Sequence, residues 1–202
     1  MLDQGNVDGV AVQLGIAPDK VRVVATSQPL LPPKLRAGVF DAVSEALYEN
    51  RWLNVDYQNA SGKGSNARIM PLGLAQQGER LYLVCRFEGY DNERSLALHR
   101  IQSAKVSMAT FERPRDFDLK RYDDDGRFGF GEGQRIKLSF TIDANAGQHL
   151  TESPLSQDQS VKMLRNGRLQ ITATVVNSAM LDRWLLGFGE TVRGVRKHAI
   201  ET

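Results

Sequence analysis

The chain has 202 residues, with 26 Lys and Arg against 24 Asp and Glu, 41% hydrophobic and 25% charged. That composition belongs to a soluble globular protein of one large or two small domains. A formal charge of +2 argues against a generally basic nucleic-acid coat, so any basic site must be local.

No apolar run approaches the roughly 20 residues that span a bilayer. The opening "MLDQGNVDGV" has neither the basic nor the apolar region of a secretory signal. The single cysteine, Cys85, cannot form an internal disulfide and lies in an apolar strand. A reduced, buried thiol and a cytoplasmic location are the expectation.

Residues 1–32 form a weakly patterned leader. "VAVQLGIAPDKVR" (10–22) has the spacing of a helix-turn-helix centre, but no recognition helix follows. "VRVVA" (21–25) is β-branched and suits a strand, and Pro29, Pro32 and Pro33 then break the chain.

From Pro33 a helix is expected, with Leu35, Val39, Val43, Ala46 and Leu47 on one face. After Asn50 the period changes to two. Five strands are expected at 53–57, 67–76, 80–87, 94–101 and 104–111, separated by Gly, Asn, Ser and Asp. A helix followed by five short antiparallel strands suggests a small Sm- or SH3-like barrel over 33–113.

"ERPRDFDLKRYDDDGRFGFGEGQ" is polar and Gly-rich, and 114–134 is expected to be a linker. A second unit, 135–202, runs strand, short helix, hairpin, helix, strand. Its hairpin turns at Asn166-Gly167, the dipeptide favoured by a type I′ turn. In its second helix Leu181, Trp184, Leu185 and Phe188 form one apolar face. The order β-α-β-β-α-β is the ferredoxin-like arrangement, giving an α+β chain overall.

Catalytic signals are weak. "SGKGS" (61–65) lacks the first glycine of a phosphate loop, and a strand follows where a helix is needed. "GFGEG" (129–133) has the wrong spacing for a dinucleotide fold, and "YDDDGR" (122–127) the wrong spacing for a calcium loop. His99, His149 and His198 fall in separate elements. No metal, cofactor or enzymatic reaction is expected; a metal hydrolase built on Asp123–Asp125 is the weakest of the readings weighed.

The unusual stretch is "RLYLVCRFEGYDNERSLALHRI" (80–101), two strands rich in tyrosine, arginine and histidine. Leu81, Leu83 and Cys85 are expected to face the core, and Tyr82, Val84 and Arg86 the other way. On the next strand Arg94 and Arg100 share parity with Leu96 and Leu98, while His99 points oppositely. Period two alone therefore cannot gather every polar group; a bulge near His99 or a strand end at Arg100 is required. From the pattern alone two readings stand. Arg86, Arg94 and Arg100 are either solvated sheet residues paired with Glu79, Glu88 or Glu93, or parts of a basic site.

This stretch, with "RIMPLGL" upstream and "FERPRDFDLKRY" downstream, resembles the WYL-domain family of bacterial transcription regulators. The family's Trp-Tyr-Leu stands here as Leu81-Tyr82-Leu83. The second unit, from "IKLSF" to "LDRWLLGFGETVRGV", is similar to the WCX extension of those proteins.

The resemblance implies an effector-sensing module whose barrel binds a negatively charged ligand, single-stranded DNA or RNA or a nucleotide, and so controls DNA binding. It implies ligand contacts at Arg68, Tyr82, Arg94, His99 and Arg100, to which the strand pattern adds Arg86. Tyr57 and Lys63 are secondary candidates. Ala97 and His99 stand where some members carry arginine and aspartate, so the effector can differ. The resemblance further implies a homodimer, with no membrane partner, that meets duplex DNA only through an N-terminal winged helix not legible here. The alternative is a stand-alone Sm-like single-strand-binding protein without regulatory coupling.

Overall fold

The structure, a computed structural model, describes residues 27–200 together with Gly15, Ala17, Lys20 and Val24. The helix-turn-helix pattern at 10–22 and the strand expected at 21–25 fall largely outside the described residues. The chain divides into two compact units, Met1–Arg115 and Asp116–Thr202.

In the first unit, helix α1 spans Val39–Tyr48 and buries Val39, Val43 and Ala46. It starts later than the expected Pro33 because Gly38, at φ 75°, sits in the left-handed region and cannot belong to the helix. Leu35 still packs against the same core from outside the helix. Asn50, at φ 51°, turns the chain out of α1 into the sheet.

Five antiparallel strands follow: β1 Arg51–Gln58, β2 Gly64–Gln77, β3 Arg80–Phe87, β4 Glu93–Ala97 and β5 Ile101–Thr110. They pair in the order β4-β3-β2-β1-β5. The two edge strands are therefore consecutive in sequence, joined only by the 3-10 turn Leu98–Arg100. At about 2 Å rise per residue that turn spans roughly 8 Å. In a flat sheet the same edges would lie about 19 Å apart, at ~4.8 Å per strand.

The sheet must curl, and register shifts at Pro71/Gly73 and Asp56/Tyr57 supply the bends. This is also why the expected strand 94–101 stops at Ala97: its last residues form the corner. Inside the curl, Leu53, Val55, Ile69, Leu83, Cys85, Leu96, Leu98 and Ile101 pack against α1.

Cys85 is free and fully enclosed, and burial pushes its thiol up to about 12, an effect the nearby Arg94 only partly offsets. Native protein at pH 8 is expected to resist a thiol reagent that labels it within minutes in urea. Rapid native labelling would show that this core opens.

The second unit starts with structure in the segment expected to be a linker. Helix α2, Leu119–Asp124, is capped by Asp118, whose side chain accepts from the Arg121 amide at 2.6 Å. Tyr122 is buried beside the rings of Phe117 and Phe128. Glycine suits the tight backbone after it: a Cβ on Gly131 would lie 3.1 Å from the carbonyl oxygens of both Asp125 and Gly126.

Then come β6 Arg135–Asp143, α3 Ala144–Gly147, α4 His149–Glu152, β7 Ser160–Met163, β8 Arg168–Val176, α5 Ala179–Gly187 and β9 Val192–Ala199. The sheet order is β7-β8-β6-β9, all antiparallel. The β7–β8 hairpin differs from the expected type I′ turn. Leu164 and Arg168 close a three-residue loop in which Gly167, at φ 76°, is left-handed and Asn166 is not.

On one face of this sheet Leu138, Phe140, Ile142, Leu169 and Ile171 pack with Leu150, Leu181, Trp184, Leu185 and Phe188 from the helices. Trp184 meets Phe140 and Phe188 edge-on, with centroids 6.2 and 4.8 Å away. Among the described residues no helix is long and apolar enough to cross a membrane.

Candidate anion site

The strands set where each cationic side chain can go. Tyr82 lies opposite Ala75 and Ala97, on the side of β3 facing away from the core, and Arg86 shares that side. Arg94 lies opposite Cys85, so it starts from the core-side face of β4. Its guanidinium lies over the rings of Phe87 and Tyr90, at 4.9 and 5.1 Å from their centroids. Arg68 lies opposite Asn54 on β2. The six expected residues thus do not share one set of surroundings: Arg68, Arg86 and Arg94 each have different partners, and Tyr82, His99 and Arg100 lie by the β4–β5 corner.

Two of them are neutralised. Arg86 Nε donates to Glu93 Oε1 at 2.8 Å, and the two side chains are only 14% and 18% exposed. Such a partly buried pair holds β3 to β4, and opening it for a ligand would leave a buried charge unpaired. Arg68 pairs with Glu88 at 2.6 Å and lies over the Trp52 ring, 4.8 Å from its centroid. It also lines a shallow cavity of about 400 Å³ with Asn54, Asp56, Asn66, Ser103 and Lys105.

The remaining group lies at the corner between β4 and β5. His99 and Arg100 sit in the 3-10 turn, and Arg80 opens β3 two residues before Tyr82, on the same side of the strand. Arg80, Arg94 and Arg100 make no ion pair with any described residue.

His99 registers this uncompensated charge. Its pKa is lowered, first by removal from water and then by the positive charges of Arg100 and Arg80. Its Nδ1 is shut off from solvent and has no hydrogen-bond partner among the described residues. At this corner two guanidinium groups lie by an imidazole that their charge and its removal from water hold neutral, and an anion there would ease the repulsion between the guanidinium groups and favour protonation of the ring.

Sequence reasoning overlooked Arg80, although its signal was present, two positions from Tyr82 in a period-two strand. Tyr57 packs against the core cluster of the first unit. Lys63 is exposed in the β1–β2 turn, which Asn59 organises by accepting from the Ser61 and Lys63 amides at 3.0 Å. Among the described residues no three His, Cys, Asp or Glu side chains form a metal-binding group.

Comparison with known proteins adds the following. The chain is similar in structure to the proteasome accessory factor B/C (PafBC) of Arthrobacter aurescens. Identity is 21%, the match covers 95% of this chain and 29% of that one, and the TM-score is 0.42. It is also similar to a CRISPR Cas-related protein, with 12% identity, 76% and 45% of the two chains covered and a TM-score of 0.46.

This chain therefore spans less than half the length of either. No curated protein matches it in sequence. Family models match in two places, the WYL domain over residues 38–106 and the WCX domain over residues 132–194. Together they take in about two-thirds of the chain, which belongs to the WYL-domain family and carries that family's WCX extension.

Proposed function

We propose that the chain is the effector-sensing module of a bacterial transcription regulator, acting in the cytoplasm as a homodimer and by binding, not catalysis. Residues 33–113 serve as an Sm-like barrel, 114–134 as its connection, and 135–202 as a ferredoxin-like unit. The strand orders β4-β3-β2-β1-β5 and β7-β8-β6-β9 support those two comparisons. The ligand is an anion of the phosphate type, single-stranded nucleic acid or a nucleotide, and its binding shifts the state of a DNA-reading domain.

One observation carries the reading: Arg80 and Arg100 place positive charge at His99, and neither has an acid partner among the described residues. Guanidinium forks match phosphate oxygens bidentately, and Tyr82, on the same side of β3 as Arg80, brings an aromatic ring. Arg94, whose guanidinium lies over the Phe87 and Tyr90 rings, could meet a further phosphate of a longer strand. Arg68 and Arg86 hold Glu88 and Glu93 and act by keeping the sheet in register.

The test is a titration of the protein with a 5′-phosphorylated 12-nucleotide single strand at 50 mM salt, repeated across pH. Saturable binding at a fixed stoichiometry is expected. Affinity should rise about three- to tenfold from pH 7.5 to 5.5. Free His99 is neutral because its pKa is depressed, and a bound phosphate raises that pKa, so binding takes up a proton. Binding at no fixed stoichiometry would favour a stand-alone single-strand-binding protein, and no binding at all would remove the anion reading.

A further inference from the structure

The second unit has a sheet face that none of its helices covers. All the apolar residues that α3, α4 and α5 bring to the sheet meet the face carrying Leu138, Phe140 and Ile142. The opposite face is built in register from polar side chains. Lys162 of β7, Gln170 of β8, Thr141 of β6 and Arg193 of β9 form one row across the sheet. Ser160, Thr172, Ser139 and Arg196 form the next. Within these two rows the central strands supply hydroxyls and an amide and the edge strands supply Lys162, Arg193 and Arg196; Lys137 and Arg168, on the central strands of the same face, are paired with acids.

The acids on this face are already occupied. Asp158 holds Lys137 at 2.7 Å and also takes hydrogen bonds from Thr174, while Asp143 is paired with Arg168. Those bonds hold the Asp158 carboxyl well below the usual carboxylate range. Lys162, Arg193 and Arg196 remain with no ion-pair partner among the described residues, and all three are exposed. Arg193 Nε donates only to the Glu190 carbonyl, at 3.3 Å.

We propose that this face is a docking surface for the sugar–phosphate backbone of duplex nucleic acid, bound without reading sequence. Charge and chemistry select that occupant. A second copy of the same face would bring like charges together. A lipid surface needs apolar side chains to insert, and these two rows present none. A single strand is held by aromatic stacking, and the rows carry no phenylalanine, tyrosine or tryptophan.

Four strands at about 4.8 Å set Lys162 and Arg193 roughly 14 Å apart. That is close to the ~12 Å major groove, so the two edges can each meet one phosphate strand with the hydroxyl rows between them. This surface lies in a different unit from the anion corner and does not depend on it.

The experiment measures binding of the full chain to two unrelated 20-base-pair duplexes, to the 12-nucleotide single strand, and to vesicles of phosphatidylglycerol, over a salt series. The variants are Arg193→Glu/Arg196→Glu and Lys162→Glu, with Arg115→Glu as an exposed control and thermal melts to confirm folding. Equal affinity for the two duplexes is expected, with a loss of at least tenfold in the double variant. The slope of log affinity against log salt should fall by about two, one unit for each lost phosphate contact.

Single-strand binding should be unchanged in the same variant, which keeps this inference separable from the proposed sensor role. Duplex binding that survives both charge reversals, that prefers one duplex sequence, or that is matched by equal loss on vesicles would overturn it.

Discussion

Phe140→Ala is expected to destabilise the second unit by about 3–5 kcal/mol, the range for deleting a buried aromatic ring. Phe140 is 1% exposed and lies at the centre of β6, with Leu138 and Ile142 beside it and the Trp184 ring meeting it edge-on. Neither α5 nor the neighbouring strands can close the gap without losing Leu185 and Leu150 from the same cluster. Trp184→Ala should fall toward the low end of the same range, about 3 kcal/mol, because Trp184 is only partly buried and some of the space it leaves opens to solvent.

The measurement is favoured by the sequence, which has two tryptophans, Trp52 in the first unit and Trp184 in the second. In a Trp52→Phe background, Trp184 emission reports urea unfolding of the second unit alone. A midpoint within error of the parent would mean that the ring fills no core. A matching shift of Trp52 emission in the parent background would mean that the two units unfold as one.

The particular residues show what could be read beforehand. Period two placed Leu83 and Cys85 inside and Tyr82 and Arg86 on the other side, because side-chain alternation is local geometry. The apolar face of α5 followed from 3.6-residue spacing for the same reason.

The curl of the sheet was not local. The parity of "RSLALHRI" pointed to a bulge near His99 or a strand end at Arg100, but that Leu98–Arg100 joins opposite edges of one sheet follows only from the strand order. The corner in turn decides which cations meet. It brings His99 and Arg100 to Arg80, while Arg94 is directed to the Phe87 and Tyr90 rings.

Ion pairing was half legible: glutamates stood near in sequence, but only coordinates choose Glu88 for Arg68 and Glu93 for Arg86. The glycine-rich 114–134 stretch, expected to be a linker, holds a short helix that its composition did not announce. Its glycines permit close approach of backbone carbonyls around a packed Tyr122, a role that composition alone cannot distinguish from a flexible connector.

The combined change Arg80→Ala/Arg100→Ala should weaken binding of the 12-nucleotide single strand by roughly 30- to 150-fold at low salt. That corresponds to about 2–3 kcal/mol, the scale of one or two hydrogen bonds to a charged group. Neither residue is committed to an acid among the described residues, so truncation removes ligand contacts without breaking an internal pair.

Removing both charges should also let the His99 pKa climb back toward its ordinary value, which moves the pH dependence of the residual binding upward. Two comparisons make the result diagnostic. Arg86→Gln should lower the melting temperature through loss of the Glu93 pair yet leave affinity within about threefold. Arg94→Ala should leave a mononucleotide's affinity unchanged while weakening the 12-nucleotide strand, because its guanidinium begins from the other face of β4. If Arg86→Gln and Arg80→Ala/Arg100→Ala weaken the strand equally, the charge acts through the general field of the unit and the corner is not the site.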